Sequence, residues 1–381
     1  MKSLLAQTFC ILFLICLLGF NSNVGRVKCE SGSITVPDDY PTIQAAINGA
    51  HDGATIFVRS GVYYEYLTIN KSLSLMGEDP VNTVINGNRG RHFLISISAN
   101  DVIIRNFMIT NFTDIAIYIN RSKDEIITGN NFFHIGEPVV LEESENALIQ
   151  NNMMFDVFTG VRLWLNCNNT VIDSNRMSEI AYGVYVYNSS YNTISGNVVK
   201  ADVGDCVDVS GISSIGNKIL YNQLLGISDP RSERVHYGRT YFYVEALNTT
   251  VYGNDFINIS MFVYNDSVET WNNGSAGNYW SDYNGTDANE DGIGDSPYSI
   301  YPYQNIQDEK PLMSPNFLLR GDVNLDGTVD LYDAMQGASA FGSTRGEPNW
   351  NAFADFNKDG TIDIFDLIIV AQDFGKTFPS I

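Results

Sequence analysis

The chain has few basic residues for its length. Its 381 residues include 22 Lys and Arg against 44 Asp and Glu, which gives a net charge of −22. A nucleic-acid-binding protein needs a basic face to neutralise phosphates, so we expect no nucleic-acid partner. The acidic balance favours divalent cations, or solubility in an extracellular setting, and composition alone leaves both open.

Cysteine and histidine are also scarce. Of the five cysteines none lies in C-x-x-C spacing, and the four histidines are scattered, which argues against the common zinc and redox motifs. Cys10 and Cys16 fall in the N-terminal apolar run. Cys167 and Cys206 could form a disulfide, but buried single thiols that fill core positions are the favoured interpretation.

Long apolar runs are absent except at the N-terminus. Residues 1–29 begin with Met1-Lys2 and continue as LLAQTFCILFLICLLGF, a pattern typical of a secretory signal. An uncleaved anchor is the alternative, since the run approaches spanning length. We therefore expect a secreted or cell-surface protein, and its ten N-x-S/T sequons are compatible with glycosylation.

An asparagine-centred phrase returns along the middle of the chain. Its anchor residues are Asn130, Asn152, Asn175, Asn197, Asn222 and Asn254. A period in the low twenties indicates a solenoid, and runs such as VRLWLN and GVYVYN, bounded by Asn, Ser and Gly, predict strands. Three short strands per repeat predict a parallel β-helix in which the stacked asparagines hydrogen-bond from coil to coil.

Both ends of the predicted solenoid have candidate caps, which hide the apolar ends of the stack. The phrase TIQAAINGA has helical spacing, and Thr42 is its candidate N-cap. At the other end an aromatic plug is expected, with a sugar-stacking platform as the alternative. It consists of Trp271, Tyr279, Trp280 and Tyr283.

Residues 33–313 resemble NosD-like, pectin-lyase-like surface proteins of archaeal type. The similarity lies in VPDDYPTIQAAINGAHDGATIFVRSGVYYEYLTINKSLSLMGE and in the closing segment GNYWSDYNGTDANEDGIGDSPYSI. The resemblance implies a mainly β fold, a right-handed parallel β-helix over residues 31–313 with an N-terminal cap helix. It leaves the chemistry open, because such folds carry lyases, hydrolases, binding proteins and structural proteins. Copper delivery, which the NosD name suggests, would need clustered His or Met, and the sequence shows no such cluster.

The closing segment also contains alternating oxygen donors with glycines between them. A calcium loop is one interpretation and an Asx-rich turn is the other. The candidate ligands are Asp287, Asn289, Asp291 and Asp295.

After a short linker at 314–320, residues 321–376 contain two related halves, each with the pattern D-x-N-x-D-G-T-x-D-x-x-D and each leading into an apolar helix. This is the calcium-loop spacing, with Asp at position twelve. The predicted calcium ligands are Asp322, Asn324, Asp326, Thr328, Asp330 and Asp333 in the first loop, and Asp355, Asn357, Asp359, Thr361, Asp363 and Asp366 in the second.

The pair of loops resembles a type I dockerin, a small α-helical calcium-loop domain. That resemblance implies calcium as cofactor and a cohesin-like module as partner. The residues expected to contact the partner are Leu331, Tyr332, Ile364 and Phe365. Packing of these side chains inside the protein is the alternative.

The best catalytic candidates lie in ADVGDCVDVSG, which is partly similar to the GDDC segment of polygalacturonase-type hydrolases but lacks the adjacent Asp pair. Asp202, Asp205 and Asp208, with His236 further on, could act as acid and base on a glycosidic bond. Because Asp205 and Asp208 are three apart, a regular strand would place them on opposite sides, so solvated surface acids are the favoured interpretation.

A lyase would need a basic residue, and Arg or Lys occurs in successive coils, where the side chains could share a face or stand alone. These are Arg105, Arg121, Lys123, Arg162 and Arg176.

The leading hypothesis is an exported β-helix protein, carbohydrate-binding or scaffolding, docked through its calcium-dependent module. The alternative is a polysaccharide-degrading lyase or glycosidase carried by the dockerin, so the sequence leaves catalysis open.

Overall fold

The computed structural model describes residues 33–87, 92–202, 204–226, 240–263, 268–289, 291–301, 306–316, 321–323, 328–344, 351, 354–356 and 360–376. The predicted signal lies outside this set. The description that follows concerns the unit formed by residues 34–381. No helix within the described ranges is long and apolar enough to cross a membrane.

Strands are the main secondary structure of the described residues. In chain order these are β1 (Ile34–Val36), β2 (Ala54–Val58), β3 (Gly61–Tyr63), β4 (Leu67–Ile69), β5 (Leu73–Gly77), β6 (Thr83–Asn86), β7 (Phe93–Ile97), β8 (Val102–Arg105), β9 (Met108–Asn120), β10 (Ile126–Thr128), β11 (Asn131–Glu142), β12 (Leu148–Gln150), β13 (Met153–Trp164), β14 (Val171–Asp173), β15 (Arg176–Tyr187), β16 (Thr193–Ser195), β17 (Val198–Ala201), β18 (Gly204–Ser210), β19 (Lys218–Leu220), β20 (Gln223–Gly226), β21 (Thr240–Val244), β22 (Thr249–Tyr252), β23 (Asp255–Ile257), β24 (Ile259–Val263), β25 (Val268–Thr270), β26 (Tyr279–Trp280), β27 (Tyr298–Tyr301) and β28 (Ile306–Asp308). The helices are α1 (Ile43–Gly49), α2 (Leu331–Ala340) and α3 (Ile364–Asp373).

The strands build the three faces of a parallel β-helix. Face one is an eleven-stranded sheet in the order β1-β2-β5-β8-β10-β12-β14-β16-β19-β22-β25. The other two faces belong to one fifteen-stranded sheet, because β9, β11, β13 and β15 each continue from one face into the next. Face two runs β3-β6-β9-β11-β13-β15-β17-β20-β23-β26, and face three runs β4-β7-β9-β11-β13-β15-β18-β21-β24. The fold expected from the repeat is confirmed.

Buried asparagines form a continuous ladder at the corner between faces one and two. The side-chain amide of Asn175 donates to the Oδ1 atom of Asn197 at 3.0 Å and to the Ile149 carbonyl at 2.8 Å. Its own Oδ1 accepts from the backbone and side-chain N–H groups of Asn152, both at 3.0 Å. Each rung thus satisfies backbone groups of two coils that the bend would otherwise bury without partners.

The ladder is longer than the sequence repeat indicated. Asn254 donates to Asn278 at 3.0 Å, and Asn278 donates in turn to Oδ2 of Asp308 at 3.3 Å. Asp308 also accepts from the Trp280 indole at 3.1 Å, so a carboxylate closes the stack. Asn278 was missed because its context, GNYW, lacks the apolar run that follows the other anchors.

A second ladder explains one of the buried thiols. Ser189 Oγ accepts from the Cys167 backbone at 3.0 Å, and Ser214 Oγ accepts from the Ser189 backbone at 3.1 Å. Ser144 has the same position one coil before Cys167, accepting from the Ser122 backbone at 3.3 Å. Cys167 therefore replaces serine at one rung. It and Cys206 are both free and buried, so the expected single thiols are observed and the two residues form no disulfide.

Both ends of the stack are closed as the sequence indicated. Helix α1 begins after Thr42, whose side chain accepts from the Ala45 backbone, and it buries Ile43, Ala46 and Ile47 over the first coil. At the other end Trp280 stacks between Phe256 and Tyr298 with centroid distances of 4.5 and 4.3 Å.

Replacing an asparagine at a central rung of the ladder should lower the free energy of unfolding more than replacing an exposed asparagine. Asn175→Ala leaves the Asn152 backbone N–H and the Ile149 carbonyl buried without partners, so we expect a loss of about 2–4 kcal/mol in the free energy of unfolding. Urea denaturation followed by circular dichroism measures it. Asn48→Ala, at an exposed position of α1, is the control and should change stability by less than about 0.5 kcal/mol. Equal losses in the two variants would contradict the ladder's role.

Candidate functional site

The outward side chains of face three form a strip of aromatic and charged groups. Inward and outward residues alternate along each strand, so Val161, Leu163 and their counterparts fill the core while their neighbours face solvent. Strand pairing then aligns the outward residues in columns: Arg162 lies beside Tyr185, Tyr185 beside Asp208 and Asp208 beside Tyr243. We call this the face-three strip, and it comprises Arg162, Trp164, Tyr185, Tyr187, Asp205, Asp208 and Tyr243.

Aromatic rings are stacked along the strip. Trp164 and Tyr187 on neighbouring coils are stacked with centroids 4.6 Å apart. Further aromatic pairs continue the array at its ends, Phe93 with Tyr118 at 4.1 Å and Tyr243 with Phe262 at 5.2 Å. With coils spaced about 4.8 Å apart, the three pairs are spread over about 34 Å from β7 to β24, and the outward positions of β11 and β18 between them carry no aromatic residue.

Asp205 and Asp208 lie on the same side of β18, contrary to the expectation from their spacing. The pairing of β18 with β21 shifts register between Asp205 and Val207. The side chains of Cys206 and Val207 are both fully buried, so this irregularity turns two consecutive residues inward and leaves both aspartates on the outer surface. The prediction that they face opposite sides was wrong because it assumed an unbroken period of two.

Neither aspartate is a freely solvated surface acid. Burial raises the pKa of Asp205 to about 6. Burial, together with the charges of Asp205 and Glu245, raises the pKa of Asp208 to about 7, although a hydrogen bond with Ser210 opposes this. Oδ1 of Asp208 is buried and has no hydrogen-bond partner among the described residues. The strip therefore holds two carboxyl groups that exchange protons near neutral pH, as acid–base chemistry requires.

A half-buried ion pair holds the guanidinium of the strip in place. Arg162 contacts Glu137 at 2.7 Å, and its guanidinium lies 5.8 Å from the centre of the Trp164 ring. Burial raises the pKa of Glu137, and Arg162 partly offsets this. The arrangement fixes the tryptophan ring beside a charge that is already neutralised.

The other sequence candidates do not all meet at this strip. Asp202 follows β17, where burial and the Glu179 charge raise its pKa, and His236 lies outside the described residues. The basic residues proposed for a lyase do not share a face: Arg105 lies on face one and Arg162 on face three. The aromatic strip was missed because VRLWLN and GVYVYN read as apolar runs, although their aromatic residues occupy the outward positions 23 residues apart.

In the 287–295 loop the candidate ligands bind backbone groups. Asp287 accepts from the backbone of Gly292 at 2.9 Å, and Asp295 accepts from Ala288 at 2.9 Å. The amide of Asn289 donates to Asp291 at 3.0 Å. These contacts are those of an Asx-rich turn, and calcium binding at this loop stays a prediction.

The C-terminal module repeats one arrangement twice. Asp330 and Asp363 cap α2 and α3, and each forms a capping box with the residue three positions on, Asp333 or Asp366. The segment after each helix pairs with the other loop: Gly342 donates to the Ile362 carbonyl at 2.7 Å, and Gly375 donates to the Val329 carbonyl at 2.7 Å.

The predicted calcium ligands are described in part. Asp322, Asp333 and Asp366 are buried, which suits a hard cation because buried carboxylates need compensating positive charge. Asn324, Asp326, Asn357 and Asp359 lie outside the described residues. Among the side chains that are described, no group of three or more His, Cys, Asp or Glu is placed to hold a metal ion.

The expected partner-binding residues are exposed, as the docking hypothesis requires. Leu331 and Tyr332 are 64% and 66% exposed, and Ile364 and Phe365 are 55% and 63% exposed. Packing inside the protein, the alternative, is therefore not observed. Sequence reasoning missed their neighbours on the same helices and at the helix ends, which are also exposed: Met335, Phe341, Ile368 and Phe374.

Comparison with known proteins identifies both parts of the chain. A family model described as "Periplasmic copper-binding protein (NosD)" matches residues 47–285, more than half of the chain. The chain belongs to the NosD family. A second model, "Dockerin type I domain", matches residues 320–374, and the C-terminal module of this NosD-family chain is a type I dockerin. Dockerins of this type generally bind calcium and cohesin partners.

Curated relatives of this NosD-family chain include surface and transport-associated proteins. A cell surface glycoprotein of Methanothermus fervidus is 27% identical over 344 residues, covering 72% of this chain and 56% of that protein. A probable ABC transporter binding protein NosD of Stutzerimonas stutzeri is 34% identical over 144 residues, covering 36% of this chain and 32% of that protein. The chain spans about half, or less, of the length of these relatives.

Solved structures with a related fold are more distant. Geobacillus virus E2 ORF18 has a TM-score of 0.46 and 14% identity, covering 64% of this chain and 53% of that one. An alginate lyase from Paenibacillus sp. has a TM-score of 0.39 and 17% identity, covering 62% of this chain and 86% of that one. We transfer no chemistry from either protein.

The family description suggests a copper site, but the described His and Cys side chains do not form one. Copper sites use clustered imidazole or thioether ligands. His92 is paired with Asp114 and His134 with Asp156, on separate coils, while His51 lies beside the cap helix. The thiols of Cys167 and Cys206 are buried in the core.

The buried carboxyl of Asp208 should make stability pH-dependent. Its folded pKa of about 7 lies above its ordinary value of 3.8, so the folded state binds more protons between these values and the free energy of unfolding falls as pH rises from about 4 to about 7. Asp208→Asn should remove this contribution and raise stability at pH 8 by on the order of 1–3 kcal/mol. Denaturation across pH measures both effects.

The matched control for this prediction is Asp38→Asn. Asp38 is exposed, and its hydrogen bond with Arg59 lowers its pKa, so the substitution should not flatten the same part of the pH profile. A wild-type profile that Asp208→Asn leaves unchanged would contradict the assignment.

Proposed function

We propose that this NosD-family chain is a surface-displayed β-helix protein that binds polysaccharide along the face-three strip and is attached to a partner by its dockerin. The observation that carries the binding role is the stacked pair Trp164–Tyr187, flanked by carboxyl groups on an exposed face. Flat aromatic rings offer apolar surface to the C–H faces of sugars, and carboxylates accept hydrogen bonds from sugar hydroxyls.

The attachment role is supported by the exposed apolar residues of the dockerin. Equivalent pairs, Leu331-Tyr332 and Ile364-Phe365, begin α2 and α3, where two loops with calcium spacing would hold them. Exposed bulky side chains of this kind are typical anchors of protein interfaces. We propose calcium as the cofactor of both loops and a cohesin-like module as the partner, with secretion or surface display supported by the similarity to a cell surface glycoprotein.

A second candidate function is glycoside hydrolysis by the same strip. Asp205 and Asp208 share one surface, and their pKa values of about 6 and about 7 differ, so one can donate a proton while the other is ionised. Incubation with polysaccharides and detection of new reducing ends tests it: cleavage lost in both Asp205→Asn and Asp208→Asn supports an enzyme. Absence of cleavage on every substrate that the protein binds would leave the binding role alone.

Calcium binding should depend on the first ligand of each dockerin loop. Asp322→Ala combined with Asp355→Ala should abolish high-affinity calcium binding measured by calorimetry on the whole chain, because each loop loses a carboxylate ligand. The β-sheet signal in circular dichroism should persist, since stacked coils are stabilised by their neighbours. Asp287→Ala is the control and should leave the dockerin sites intact, whereas loss of all calcium binding in that control would contradict the assignment.

Removing the central ring of the strip should weaken polysaccharide binding. Trp164→Ala eliminates the stack with Tyr187, so we expect retention on immobilised polysaccharide to fall by about tenfold or more. Phe133→Ala is the matched control, because Phe133 is 43% exposed and stacks on Phe155, but on face two. Equal losses in the two variants would argue against the strip as the binding surface.

A further inference from the structure

Face three carries more acidic than basic side chains. Arg162 is the one Lys or Arg on the described strands within face three, since Arg176 lies in the part of β15 that belongs to face two, and its charge is offset by Glu137 at 2.7 Å. The remaining acids on these strands are Glu142, Asp205 and Asp208, together with Asp114, Asp156 and Glu179 where β9, β13 and β15 turn from face two into face three. No unpaired cation is therefore available on the described part of the face.

The basic residues in the turns that flank the face-three strip are also paired with acids. Arg121 forms an ion pair with Glu143, and Lys123 forms one with Glu145 at 2.8 Å. The basic residues that border the strip on this side thus each have a carboxylate beside them, which offsets their charge.

A chain of uronic acids would meet repulsion on such a surface. Each sugar carboxylate would approach Asp205, Asp208 or Glu142 with no free guanidinium or ammonium beside it on the described strands, and like charges facing each other cost binding energy. Neutral sugars have no such penalty. Their hydroxyls can donate hydrogen bonds to the carboxylates of the strip.

We infer that the face-three strip takes neutral polysaccharide chains, built from sugars without carboxylate or sulfate groups, and discriminates against polyuronates. This inference rests on the proposed binding role and names its ligand class. The aromatic array supplies affinity for any sugar face, and the excess of carboxylates supplies the selectivity.

The test is retention of the whole chain on immobilised xylan, β-glucan and galactan against polygalacturonate and alginate, at low salt and at pH 8, above the pKa values of Asp205 and Asp208. Each comparison is made once with calcium and once with EDTA, because calcium could bridge acidic residues to uronates. We expect retention on at least one neutral polysaccharide under both conditions, and binding to the polyuronates weaker by at least about tenfold.

A charge variant sharpens the test. Asp208→Asn keeps the shape of the side chain but removes its charge, so the ratio of polyuronate to neutral binding should rise. Glu269→Gln is the control, because Glu269 is exposed on face one, and the ratio should not change. An unchanged ratio in Asp208→Asn would overturn the charge argument.

The outcomes separate this inference from the proposed function. Preferential retention on polyuronates in EDTA, or retention on polyuronates that appears only with calcium, overturns the neutral-ligand inference and leaves polysaccharide binding standing. Retention on none of the polysaccharides overturns the inference and the proposed binding role together.

Discussion

The corner between faces one and two depends on a buried side-chain amide in each coil from Asn130 to Asn278. The chain must bend there inside the core, which strips water from backbone N–H and carbonyl groups. An asparagine satisfies them because it donates and accepts at once, as Asn197 does between Asn175 and Asn222. The residue before it adopts a left-handed conformation, with φ of 61° at Gly196 and 52° at Tyr221. Because the corner recurs in the same place, each coil is held in register with the next.

That register creates the proposed binding surface. Once the corners align, residues about 23 positions apart in the sequence become neighbours about 4.8 Å apart. Side chains on successive coils then form columns and can stack on one another. Trp164 and Tyr187 become a stacked pair only because β13 and β15 are paired without slippage. The same alignment places Cys167 at a rung of the serine ladder, where burial raises the pKa of its thiol to about 11 and makes it an unreactive core residue.

The sequence predicts the repeated features well and the exceptions poorly. The solenoid, the cap helix after Thr42 and the ladder follow from patterns that recur with fixed chemistry. Asn278 escaped recognition because the last rung is followed by an aromatic plug rather than a strand of the usual kind. The placement of Asp205 and Asp208 depends on one irregularity in β18, which alternation cannot reveal because it assumes an unbroken strand, and either unbroken register would bury one of the two aspartates.

The two acidic regions of the molecule suit different ligands for a physical reason. In the dockerin, carboxylates such as Asp363 and Asp355 accept backbone N–H groups at 2.8 and 3.0 Å, and the loop spacing predicts further oxygen donors for a hard cation. On face three the carboxyls of Asp205 and Asp208 lose hydration with little compensation, so their pKa values rise and part of their charge is lost near neutral pH. Partly protonated carboxyls are poor calcium ligands but good hydrogen-bond partners for hydroxyls, since they can both donate and accept. The cation is therefore expected at the dockerin and the sugar chain at the strip, although both regions are built from the same side chain.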